Sequence, residues 1–284
     1  MKFFAPIALI LLCTAPVPLR ASIIYLDDNL GQLWEGDPTT NIYTYVGNST
    51  ASVEAALGTM SFIGFTDIGF ANHVLFGLDQ AGNLFSINTG NGTASLVGAT
   101  GMANPATVVG LTGLNGVLYA SGANALYTID PVTGIPTLLS PSTGNYTTSG
   151  DLDFTPNGLF LTSTTDGSGN PSLDDLFSID PTTGIGTDLG QLQDGSSNAF
   201  NSVFGIAYDI DNSTLYGFEY GGKQFQINTS NPNNSVAGTF TETGGGTQDL
   251  GGLLGAAADV PEPSTFALMS AAALALAGFA RRRK

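Results

Sequence analysis

The chain has 284 residues, with 23 Asp and Glu against seven Lys and Arg, a formal net charge of −16 at pH 7, one Cys and one His. Six of the seven cations lie at the two ends and Lys223 alone lies between them, so the body is a strongly acidic surface that repels nucleic acid and anionic lipid. The only cysteine, Cys13, sits in an N-terminal leader, which excludes disulfides from the body and, with a single histidine, excludes zinc and copper sites of the usual ligand sets.

Residues 1–21 read as a secretory signal peptide. Lys2 is followed by the apolar run Phe3-Phe4-Ala5-Pro6-Ile7-Ala8-Leu9-Ile10-Leu11-Leu12, and a small residue, Ala21, precedes the body.

Residues 22–259 carry one repeated string. Leu126-Tyr127-Thr128-Ile129-Asp130-Pro131-Val132-Thr133-Gly134 and Leu176-Phe177-Ser178-Ile179-Asp180-Pro181-Thr182-Thr183-Gly184 are nearly the same. Leu84-Phe85-Ser86-Ile87-Asn88-Thr89-Gly90 lacks only the proline, and worn copies begin at Leu33 and Gln224. In the Asp-Pro-x-Thr-Gly copies an apolar strand ends in a turn where Asp can accept backbone N–H groups, Pro presets φ, and Gly takes the left-handed position. Upstream of every copy lies a second apolar run, as in Leu159-Phe160-Leu161, and before it, in four of the five units, a Gly-rich first run such as Val108-Val109-Gly110-Leu111-Thr112-Gly113-Leu114. A more polar fourth run follows each turn. Four strands per unit, with 42 to 51 residues between successive turns, predicts an all-β fold of β-propeller blades. Apolar residues at adjacent rather than alternate positions require both faces of each sheet to be covered, as stacked blades provide.

The first unit lacks its Gly-rich strand, and Leu250 to Ala258 has that composition without partners of its own. Pairing the two predicts a five-bladed propeller closed by N- and C-terminal strands that share one blade.

Candidate chemistry is sparse, and no constellation marks an enzyme. His73 occupies a turn between first and second strands, with no identifiable relay partner. Asp151 and Asp153, two apart, share a face of a first strand near the axis, and Asp209 with Asp211 repeats the spacing; a glycan hydrolase or lyase would use axial carboxylates such as Asp151, Asp153 and Asp209. In the fourth-unit insertion, Asp166, Ser168, Asn170 and Asp174 place oxygen ligands in a pattern like a calcium loop, although Pro171 replaces the expected glycine and Phe177 the closing Glu. The blade strings also resemble quinoprotein-type repeats. Those blades end in a docking tryptophan, whereas Trp34 is the only tryptophan here, which argues against a quinone-dependent dehydrogenase.

Residues 260–284 read as a sorting and anchor segment. Phe266 to Ala280 is uncharged and ends at Arg281, Arg282, Arg283 and Lys284, a cluster that should stay cytoplasmic. As a helix these fifteen residues rise about 23 Å, so they form a transmembrane helix only with flanking help. Pro261, Glu262 and Pro263, followed by the apolar stretch and the basic end, resemble a PEP-CTERM sorting signal. The resemblance implies a Gram-negative bacterium that makes exopolysaccharide. It also implies passage through the export machinery, transient anchoring in the inner membrane, and cleavage near the Pro-Glu-Pro motif by an exosortase-type membrane protease. Delivery to the cell surface or extracellular matrix would follow. Exopolysaccharide or envelope proteins are then the expected partners of a non-enzymatic propeller.

Overall fold

The computed structural model describes residues 22–139, 145–164, 174–238, 241–243 and 252–259. The signal peptide, the loop positions Asp166, Ser168 and Asn170, the Pro-Glu-Pro residues and the anchor segment lie outside the described residues. No helix among the described residues is long and apolar enough to cross a membrane.

The fold is an all-β ring of five blades, antiparallel throughout except for one parallel strand added to the outer edge of the first. Blade one contains β1 (Ile24–Asp28), β2 (Gln32–Asp37) and β3 (Ile42–Asn48), followed by a short helix α1 (Thr50–Leu57). Blade two is β4 (Asp67–Ala71), β5 (Val74–Leu78), β6 (Asn83–Ile87) and β7 (Ala94–Ala99). Blade three is β8 (Val108–Leu114), β9 (Val117–Gly122), β10 (Ala125–Ile129) and β11 (Pro136–Leu138). Blade four is β12 (Thr148–Thr155), β13 (Gly158–Thr164), β14 (Asp174–Ile179) and β15 (Gly186–Gln191). Blade five is β16 (Val203–Asp209), β17 (Thr214–Glu219), β18 (Lys223–Ile227) and β19 (Val236–Ala237). Two more strands, β20 (Thr241–Thr243) and β21 (Leu253–Ala258), return to blade one.

Closure takes the expected form. β21 is the inner strand of blade one, antiparallel to β1 with Ile24 opposite Ala258 and Leu26 opposite Ala256. The inner strands β21, β4, β8, β12 and β16 each pack on the next, and β16 packs back on β21. One feature was not anticipated: β20 adds parallel to the outer strand β3, Thr241 opposite Ile42, so the end of the chain clasps blade one at both its inner and outer edges. Blade five's own fourth strand is short, Val236–Ala237.

The repeated turns are equivalent. The Gly134 N–H donates to the Asp130 carbonyl at 2.8 Å and Gly184 to Asp180 at 2.7 Å, with both glycines at positive φ. The Asp130 and Asp180 side chains accept from the Val132 and Thr182 N–H groups at 2.8 Å in each case. In blade two Asn88 plays the same part, with Gly92 as the left-handed residue.

Five apolar clusters hold the ring, one at each junction between neighbouring blades. Ile24, Leu26, Trp34 and Tyr43 meet Ala207, Tyr216 and Phe218 between blades one and five. Phe160 and Leu176 meet Ile206, Leu215 and Phe225 between blades four and five. The middle strands are therefore buried on both faces, Leu159 to Ser163 without a break. Glycine permits the close approach near the axis. A Cβ on Gly113 would lie 1.8 Å from the Phe70 carbonyl oxygen, and one on Gly150 would lie 2.1 Å from that of Val203.

Candidate functional site

The first-to-second-strand turns of the blades surround one mouth of the axis, where the ends of all five inner strands enclose a funnel of about 200 Å³. Its wall is mostly apolar, with Phe70, Leu114, Phe154, Tyr208 and Ala258 among the lining residues, and its rim is polar, with Asn72, Asn115, His73 and Asp259. Next to it, across the junction of blades four and five, Thr155, Pro156 and Tyr208 also line a second depression of about 540 Å³. A third, of about 460 Å³, continues it toward blade one through the shared residues Thr214, Gln226 and Val236. The polar part of both linings is amides and hydroxyls, including Asn157, Asn228, Asn234 and Asn41, and among the described residues no charged side chain lines either.

His73 has a partner that its sequence position hides. It sits in the β4–β5 turn at φ 61°, and its Nδ1 lies 2.9 Å from Asp259 Oδ1, so blade two is pinned to the end of the closing strand at the funnel rim. Both side chains are substantially exposed.

Asp153 forms part of the funnel wall. Its Oδ1 accepts from the Thr112 hydroxyl on β8 at 2.6 Å and its Oδ2 from the Tyr208 N–H on β16 at 2.6 Å, so one carboxylate links three blades. Burial pushes its pKa up to about 6 against these hydrogen bonds. Asp151, one step deeper, accepts from Ile206 N–H at 2.8 Å and from Leu152 N–H at 2.6 Å. Asp209 does not join them: its carboxylate accepts from Asp211 N–H at 2.9 Å and from the Asn212 side-chain amide at 2.6 Å, holding the β16–β17 turn. The one described member of the calcium-like pattern, Asp174, has both oxygens engaged, with the Ser149 hydroxyl at 2.6 Å and the Val203 N–H at 2.8 Å. Burial raises it to about 6. Among the described residues no three His, Cys, Asp or Glu side chains form a metal-ligand set.

Two axial carboxylates escaped the sequence reading. Asp67 begins β4 at the position that Asp151 holds in β12, and it reaches across to the Leu111 N–H of the next blade at 2.5 Å, as Asp151 reaches to Ile206. The shared register of Asp67-Ile68-Gly69-Phe70 and Asp151-Leu152-Asp153-Phe154 was the available signal. The two carboxyl groups face each other within hydrogen-bond reach, which requires a proton on one of them, and burial drives both well above the ordinary range. Asp27 on β1 lies beside Asp67 over Gly255 and neither of its oxygens has a well-formed hydrogen bond. Burial, then Asp28 and Asp151, raise it strongly. Asp67, Asp151 and Asp153 thus each fasten one blade to another through a backbone N–H group.

The C-terminal tail decides the address. Residues 259–284 match the PEP-CTERM protein-sorting motif. A PEP-CTERM motif marks an exported protein processed by an exosortase and sorted to the cell surface. The matched segment begins at Asp259, so it starts on the funnel rim.

No curated protein matches the chain. Among solved structures, a chain of the nidogen/laminin complex aligns at 10% identity and TM-score 0.49, covering 85% of this chain and 99% of that one. A protein of unknown function from Bacteroides thetaiotaomicron aligns at 14% identity and TM-score 0.48, covering 76% of this chain and 56% of its own length. PorZ, a surface component of the type-IX secretion system of Porphyromonas gingivalis, aligns at 19% identity and TM-score 0.42, covering 75% and 31%. The blade count rests on the strand pairing itself.

Proposed function

We propose that this PEP-CTERM protein is a non-enzymatic binding module of a bacterial exopolysaccharide matrix, released from its anchor by an exosortase, and that its ligand is an uncharged, hydroxyl-rich polymer. One observation carries the reading. On a body with 22 acidic side chains and one lysine, the polar lining of the path from the apolar funnel across blade five is amides and hydroxyls, with no charge among the described residues. Neutral amides satisfy sugar hydroxyls as both donors and acceptors, and they need no counter-charge on the ligand. The funnel supplies a desolvated wall against which a sugar ring's apolar face can rest. The acids nearest the funnel support binding over hydrolysis, because Asp151 and Asp153 already accept backbone N–H groups and Asp209 holds a turn.

The test is a glycan array and a matrix pull-down with the processed protein, alongside Gln226→Ala and Asn157→Ala. Selective capture of neutral polysaccharide, lost in the variants while the fold is kept, supports the proposal. Release of free sugars that disappears in Asp153→Asn would replace it with the hydrolase reading.

A further inference from the structure

Both ends of the described body leave from the funnel face. Asp259 lines the rim, Ile24 pairs with Ala258 beside it, and the Ser22 hydroxyl donates to Asp211 in the β16–β17 turn at 3.2 Å. Between Asp259 and the first residue of the apolar stretch, Phe266, stand six residues, two of them prolines. Fully extended, that connection reaches at most about 25 Å. Strands spaced about 4.8 Å apart put the outer edge of a four-stranded blade roughly 15–20 Å from the axis, and a six-residue strand adds some 20 Å of ring depth. A tether of this length that starts at the axis cannot turn the opposite face toward the membrane.

From this we infer that, before cleavage, the funnel face lies against the surface of the lipid bilayer, and that cutting the tail is what uncovers it. The inference rests on the reading of the tail as an exosortase-processed anchor. Its second support is the composition of that face. Every blade places one exposed apolar residue around the mouth: Ile23, Val74, Leu114, Pro156 and Ile210, with the four aliphatic side chains between 37% and 41% exposed. Further from the axis on the same face stand the exposed acids Asp130 and Asp180, and Asp211 and Asp259 are exposed nearer the mouth. An apolar centre tolerates contact with lipid headgroups, whereas the acids repel an anionic leaflet. The tether and not adhesion therefore holds the face down, and release follows its cleavage. The binding path would be closed in the anchored protein and open in the mature one.

The body contains no cysteine, so single-cysteine reporters are clean. Asn115→Cys places a thiol on the funnel rim and Gln80→Cys places one in the β5–β6 turn on the opposite face. Each is made in the full chain and in a full chain whose Pro261, Glu262 and Pro263 are replaced by Ala to block cleavage. Spheroplasts, whose outer membrane no longer blocks access, are then labelled with a membrane-impermeant maleimide-polyethylene glycol. The expected result is that the residue 115 thiol reacts at least tenfold more slowly in the membrane-bound uncleaved chain than in the released one, with no difference at residue 80. Equal reactivity at residue 115 in both forms, equal protection at both sites, or protection that persists after the uncleaved chain is solubilised in detergent would each overturn the inference. If the uncleaved chain is missing from the membrane fraction, the anchor reading itself fails, a result read from fractionation before any labelling.

Discussion

The closing strand can be tested by a single truncation. Leu253 is fully buried and packs with Ile24, Leu26, Phe218 and Ala256 where blade one meets blade five. Leu253→Ala removes three side-chain carbons from that junction; at about 0.8 kcal/mol each they account for roughly 2.4 kcal/mol of transfer free energy. The site cannot collapse readily, because Gly205 stands immediately across from the Leu253 Cδ2 and offers no side chain to fill the space. A cavity contribution should bring the loss into the upper part of the ~2–5 kcal/mol range seen for buried leucines. The neighbour Leu254 is only half-buried and points to the other side of the strand, so Leu254→Ala should cost less than half as much. In urea, with a denaturant slope near 3 kcal/mol/M, the Leu253 change should lower the midpoint by about 1.2–1.7 M. The assay is equilibrium unfolding followed by the fluorescence of Trp34, which is 1% exposed in the same cluster. A loss under about 1 kcal/mol, or equal losses for the two leucines, would refute the claim that β21 is an integral part of the ring.

Other outcomes follow from the axial carboxylates and the close-packed glycines. Asp153 and Asp174 each have a folded-state pKa of about 6, above the ordinary value of 3.8, so the folded ring binds their protons more tightly than the unfolded chain does. Their contribution is fully present below about pH 4 and is lost as pH rises through 6, and the raised Asp27, Asp67 and Asp151 extend the decline further. The melting temperature should therefore fall between pH 4 and pH 7, although Asp180 and Asp194, lowered by turn hydrogen bonds, oppose this at still lower pH. A melting temperature that climbs across that window contradicts the assignment. Asp27→Asn removes a buried carboxyl that must take up a proton on folding and whose oxygens lack well-formed partners, so it should raise the melting temperature at pH 8 by a few degrees, about 1 kcal/mol, and leave it unchanged at pH 4. A drop at pH 8 would show that Asp27 is ionised and paired. Gly113→Ala forces a methyl to within 1.8 Å of the Phe70 carbonyl and should cost at least about 2 kcal/mol, whereas Gly221→Ala, with open space around it, should be tolerated; chemical denaturation of the pair distinguishes them.

How much of this was legible depends on how local each signal is. The blades could be read because the Asp-Pro-x-Thr-Gly turn is made by its own residues, through an Asp side chain, a fixed proline φ and a left-handed glycine. The closing strand could be read by counting, since blade one lacked an inner strand and 253–258 lacked neighbours. β20 could not: Thr241-Glu242-Thr243 has no apolar pattern, and its parallel pairing with β3 follows from where the ring leaves the chain. Helix α1 was overlooked although the Ala-rich Thr50 to Leu57 ends at Gly58, whose φ of 67° caps it. The axial cluster was half legible. Asp67 repeats the register of Asp151, but Asp27 belongs to the second strand of its blade and reaches the axis only because Gly255 leaves room. The bond from His73 to Asp259 spans 186 residues and has no local trace.

The order of elements links completion of the ring to the tail. Every blade but the first can form from contiguous chain, whereas blade one waits for β21, the last described strand and the innermost. Only when Leu253 to Ala258 pair with β1 are the axial carboxylates Asp27 and Asp67 enclosed over Gly255 and the funnel given its fifth wall. The sorting motif starts one residue later, at Asp259, where His73 holds the end of the strand against blade two. A chain that has not closed therefore presents its motif on a loose end, and a closed one presents it at a fixed point on the rim. A pull along the strand at Asp259 would pass directly into the β1–β21 ladder, whose hydrogen bonds run perpendicular to the strands, and would be borne in shear by several bonds together.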